Sequence, residues 1–130
     1  PAPEGAFDAD AVWTLFEGRT DRMRQVWRIT RSTLPGYMEG LAAAVDGADW
    51  TAAARHAHSL AGSASNFGAH TLVATARRIE DQAGEGYVTV PEVVAARTQF
   101  DALCTAMTAW LDLVSGAPGA LPARQEDRRR

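Results

Sequence analysis

The 130-residue chain contains no lysine, so all thirteen of its basic side chains are arginine. Its single cysteine, Cys104, excludes an internal disulfide and fits a reducing compartment. No apolar run approaches the roughly 20 residues of a membrane span, and no signal peptide is visible, so a soluble, cytoplasmic protein with no membrane contact is expected. The net charge is −3, and residues 1–115 hold nine arginines against fourteen acids, which argues against a nucleic-acid surface. There is no Gly-rich phosphate loop and no kinase signature, hence no ATP site and no autonomous ATP chemistry. Strand-type alternation is missing as well.

What the chain has in quantity is alanine, 26 residues of it. So much alanine favours helix and lets helices approach closely. The ends, PAPEGA and GAPGALPARQEDRRR, lack periodicity; residues 1–7 read as a tail or linker and 116–130 as a disordered tail. Between them, 8–115 form one domain.

Asp8 or Asp10 is expected to cap a short helix through Glu17 that carries Val12, Trp13, Leu15 and Phe16. A longer helix follows over 21–45, with Met23, Val26, Trp27, Ile29 and Leu34 at helical spacing and Pro35 expected to kink or interrupt it. DGAD (46–49) is a turn, with Asp49 as N-cap of a helix that ends at NFGA (66–69), where Gly68 suits the left-handed position. Another helix spans about 70–83. Thr89-Val90-Pro91-Glu92 reads as a capping box opening a last helix to about Val114, with Val93, Val94, Phe100, Leu103, Met107 and Leu111 inward. Such short connections imply an all-α, up-down-up-down antiparallel four-helix bundle with a short extra N-terminal helix.

All three histidines lie in RHAHSLAGSASNFGAH (55–70). At about 100° per residue, Arg55, Ala61, Gly62 and Ser65 fall within about 60° of His58, whereas His56, Leu60 and Ala64 fall on the far side. His58 is therefore expected to project from a polar, small-residue face. His56 and His58 diverge by about 160° and cannot share an ion; no metal site is expected. A glycine inside a helix costs about 1 kcal/mol relative to alanine, so Gly62 calls for another reason. An uncrowded neutral imidazole is a good nitrogen nucleophile.

The stretch AHSLAGSASNFGAHTLVATARRIE (57–80) resembles the signature of histidine-containing phosphotransfer (HPt) domains, which runs roughly A-H-x-L-K-G-x-S-x-N-L/F-G-A-x-x-L. The matching residues are His58, Leu60, Gly62, Ser65 or its neighbour, Asn66, Phe67, Gly68, Ala69, Leu72 and Ile79-Glu80. The resemblance implies a monomeric phosphorelay intermediate. In that reading His58 accepts a phosphoryl group from a receiver-domain aspartyl-phosphate, or from a hybrid kinase, and passes it to a response-regulator aspartate. The partners implied are receiver domains and a sensor or hybrid histidine kinase. The domain needs no cofactor of its own, because the receiver brings the Mg²⁺.

One position departs from the family. Ala61 stands where the family usually has lysine, and no other lysine exists to replace it. Either Arg55, one turn before His58, supplies the missing charge, or the chain is a degenerate bundle that binds receivers without efficient transfer. Arg77 is a second candidate. Glu80 falls where the family often has Gln or Glu, either hydrogen-bonding the imidazole or remaining a surface acid. Val12, Leu15, Phe16 and Met23, with the segment Pro35–Met38, are expected to form the partner-facing apolar patch. The four tryptophans are assigned mostly to the core and its edges.

Overall fold

In the computed structural model, which describes residues 5–116, capping carboxylates open two of the helices where the sequence puts them. The Asp8 side chain accepts from the Ala11 backbone N–H at 3.1 Å and starts α1 (Ala9–Leu15). Asp49 accepts from the Ala52 N–H at 3.1 Å and starts α3 (Trp50–Ser65). The remaining helices are α2 (Thr20–Asp46), α4 (His70–Gly84) and α5 (Val90–Val114). No strand occurs among the described residues.

The four long helices pack in ring order: α2 against α3, α3 against α4, α4 against α5, and α5 back on α2. Three- to five-residue connections leave no room for a crossover, so neighbours run antiparallel, up-down-up-down. The core is a column of Leu34, Met38, Leu41, Leu60, Leu72, Ile79, Leu103 and Met107, all essentially fully buried. On its inner side α3 presents Ala53, Ala57, Ala61 and Ala64 around Leu60. Methyl-sized side chains bring its neighbours close and fix α3 as the central strut of the site.

One end of the bundle is closed by aromatics. Phe67, fully buried in the α3–α4 turn, stacks on Phe16 (6.0 Å) and meets Trp27 edge-on (5.0 Å). Trp110 receives Phe7 at 5.5 Å and Trp13 at 6.5 Å. Ala6 and Phe7, expected in an N-terminal tail or linker, are therefore packed: Ala6 is buried and Phe7 lies on α5. Positions 1–4 of that leader and 117–130 of the expected C-terminal tail lie outside the described residues.

Several local expectations are revised. α2 runs unbroken through Pro35. Just upstream, the Ser32 hydroxyl donates to the Ile29 carbonyl (2.6 Å) and Thr33 to the Thr30 carbonyl (3.1 Å), side-chain bonds back onto the preceding turn of the helix. The capping box does not form. The Thr89 side chain caps nothing; its backbone N–H donates to Gln82 Oε1 (3.1 Å), and Glu92 pairs instead with Arg78 (3.2 Å). The stronger charge-assisted pair takes the carboxylate. α1 stops at Leu15 because Glu17 and Gly18 adopt positive φ. Ile29 and Val94 point outward. Val12 and Met23, expected on the partner-facing patch, have no exposed surface and belong to the core. Met38 is buried likewise.

Candidate functional site

His58 stands at the middle of α3 with 70% of its side chain exposed. Its Nδ1 lies 3.1 Å from Glu80 Oε2 on α4, a residue one-third exposed. An ionised carboxylate only accepts, so this contact calls for the proton on Nδ1 and leaves the Nε2 lone pair free on the exposed ring. The antiparallel α3/α4 pair makes the contact possible, bringing residues 22 apart in sequence side by side.

His56 goes elsewhere. Its ring lies against Gly40 of α2, so close that a Cβ there would come within 2.6–2.8 Å of three ring atoms. The two imidazoles thus serve different seams of the bundle, and among the described residues no three His, Cys, Asp or Glu side chains are grouped to hold a metal ion. His70 opens α4 and contacts Asp8 Oδ2 at 3.4 Å, about 15 Å along the helix from Glu80 and outside the site. Cys104 is buried too, and burial raises its thiol pKa.

Gly62, one turn after His58, is exposed, and a Cβ added there would meet nothing within 4 Å. No packing inside the protein requires glycine at that point. Ser65 is on the same face, but its hydroxyl donates to the Gly62 carbonyl at 2.7 Å. Arg55 is exposed one turn before His58 and forms no ion pair among the described residues. Arg77 is exposed on α4.

Ala61 corrects the helical-wheel reading. It was expected on the open face with His58, yet it is completely buried. It lies at the edge of the alanine row along which neighbouring helices close on α3, so the position that the family fills with lysine here contributes a methyl group to the core.

Beside the C-terminal end of α3 is an open groove of about 470 Å³ lined by Leu15, Phe16, Glu17, Arg19, Arg22, Val26 and Asn66. Leu15 is 57% exposed, and Phe16 is half-buried on Phe67. The groove retains two of the four expected patch residues and adds Arg19 and Arg22, which sequence reasoning did not single out. The signal available for them was their spacing of three at the start of α2, which gives a helix two cations on adjoining turns.

A family model described as Hpt domain matches residues 25–112. Comparison with curated proteins and with solved structures gave no match.

Proposed function

The chain belongs to the Hpt domain family, and from that premise we propose that it is a phosphorelay intermediate in which His58 carries the phosphoryl group between receiver-domain aspartates. Family membership supports a phosphotransfer role in two-component signalling, and Hpt domains interact with receiver domains and kinases in phosphorelays. The observation that carries the assignment to His58 is its exposed ring, oriented through Nδ1 by Glu80 and left uncovered by Gly62.

The chemistry needs little from the bundle. The Nε2 lone pair attacks the phosphorus of the aspartyl-phosphate; the N–P bond forms as the acyl O–P bond breaks, and the aspartate leaves as carboxylate. Nδ1 keeps its proton, so positive charge builds on the ring, next to the Glu80 carboxylate that stabilises it. Arg55 draws the phosphoryl oxygens with its guanidinium. The Mg²⁺ that neutralises those oxygens during transfer comes with the receiver. Leu15 and Phe16 in the groove beside α3 give the receiver an apolar landing, with Arg19 and Arg22 at its rim.

A second reading has one observation in its favour: the position that the family usually fills with lysine is Ala61 here, and its methyl group is buried in the core. In that reading the bundle binds receivers but holds phosphate poorly. Incubation with a phosphorylated receiver separates the two. Phosphotransfer gives acid-labile, base-stable label on the wild type and none on His58→Gln. A receiver that binds both proteins equally and labels neither establishes the second reading.

A further inference from the structure

The arginines are unevenly placed. Residues 19–31 hold five arginines and one acid, whereas the rest of residues 1–115 holds four arginines and thirteen acids. Three of the five, Arg24, Arg28 and Arg31, recur at i, i+4 and i+7 and are exposed on the side of α2 that faces α5. They rim a groove of about 220 Å³ whose floor includes the buried Trp27 and Leu111. One carboxylate answers them: Asp112 reaches Arg24 at 3.5 Å, both partners being half exposed. Arg28 and Arg31 form no ion pair among the described residues. In ring order the α2/α5 seam is opposite the α3/α4 seam that holds His58 and Glu80.

We propose that this α2/α5 groove is a second docking site, separate from phosphotransfer, for an acidic amphipathic helix of a partner protein. Charge complementarity selects the occupant's rim: carboxylates one helical turn apart match guanidiniums one turn apart. The volume selects its centre, since about 220 Å³ takes one large apolar side chain against Trp27 and Leu111. Over residues 1–115 the charge distribution argues against the other polyanions. A flat anionic membrane or a DNA duplex extends well past three arginines and meets the acidic remainder of the surface, whereas a short helix stays within the basic band. The partner can therefore remain bound while His58 exchanges phosphate.

The test is titration of the ¹⁵N-labelled full chain with a 16-residue helical peptide carrying one leucine flanked by glutamates at i−4, i+3 and i+4. The expected result is salt-sensitive binding, with shifts confined to α2 and α5 and including the Trp27 indole N–H. Arg28→Glu/Arg31→Glu should weaken binding at least tenfold, and Arg28→Gln/Arg31→Gln by a smaller factor. Both variants should keep the wild-type circular dichroism and label at His58 at the wild-type rate. Equal affinity for the peptide with glutamines in place of glutamates would overturn the proposal, as would shifts centred on His58 or no binding at millimolar peptide. Tighter binding to vesicles of 30% phosphatidylserine, or to duplex DNA, would overturn it in favour of those surfaces. Loss of His58 labelling in the wild type, with peptide binding intact, would refute the phosphorelay reading and leave this one standing.

Discussion

Gly62 separates what the bundle needs from what a partner needs. Inside the protein its missing Cβ relieves no contact, and in a helix it costs about 0.5–1 kcal/mol relative to alanine. Gly62→Ala should therefore raise stability by about that amount in urea melts while slowing phosphotransfer from a receiver, because the added methyl stands on the approach to His58. A variant that is both stabilised and fully active would remove the access argument. Arg55 gives the complementary case. Exposed and unpaired among the described residues, it should contribute within about 0.5 kcal/mol to stability. Arg55→Ala should nonetheless shorten the phosphohistidine lifetime and lower its yield, and an unchanged lifetime would assign the charge elsewhere. Some of the site was legible in the sequence at this scale and some was not. The orientation of His58 away from His56 follows from helical phase alone. Ala61 was misplaced because a wheel gives angle but not the depth at which a neighbouring helix closes, and a methyl group satisfies either environment. The Glu80 contact was offered by the family resemblance as one of two alternatives, and the structure forms it; periodicity alone does not encode it, because it depends on the register between α3 and α4.

At the scale of elements, the α3–α4 turn and the start of α1 form one clamp. Gly68 adopts φ +62°, and a Cβ there would come within 2.9–3.0 Å of the Asp8 backbone and Cβ. Asp8 N–H donates to the Gly68 carbonyl at 2.9 Å. Gly68→Ala should cost about 1–2 kcal/mol from the left-handed backbone alone, and more because main chain cannot move aside as a flexible side chain would. Asp8 gives the same clamp a pH dependence. The Ala11 N–H, and then His70, hold its carboxyl pKa below the usual 3.8. A depressed folded pKa stabilises the protein above the unfolded value, and that contribution is lost as pH falls through the lower folded value. Acid titration of Asp8→Asn should lack this loss below about pH 4, measured as the difference in melting temperature from wild type; parallel curves would refute it. Helix order and caps at Asp8 and Asp49 were readable because short polar side chains at helix starts have a local cause. The capping box failed for a non-local one: Arg78, on another helix, competes for Glu92.

For the whole molecule, the sequence patterns yielded the bundle but not its closure. Apolar periodicity identifies a stripe without saying whether a helix or a partner covers it, so Val12 and Met23 were expected outside and are in fact core. The short α1 is what covers that end, through Phe16 on Phe67 and Trp13 on Trp110. This arrangement predicts that stability and docking are carried by adjacent side chains and can be separated. Phe67 is fully buried, and Phe67→Ala should cost about 3–5 kcal/mol, a large part of the total for a domain of this size. Leu15, the last residue of α1 and the neighbour of Phe16, is more than half exposed, so Leu15→Ala should leave the urea midpoint almost unchanged. If the groove beside α3 receives the partner, that substitution should raise the receiver concentration needed for half-maximal transfer several-fold, with the rate at saturation preserved. A fall in the saturating rate would mean that α1 shapes the chemistry at His58 rather than the encounter, and no change in either quantity would move the docking surface off α1.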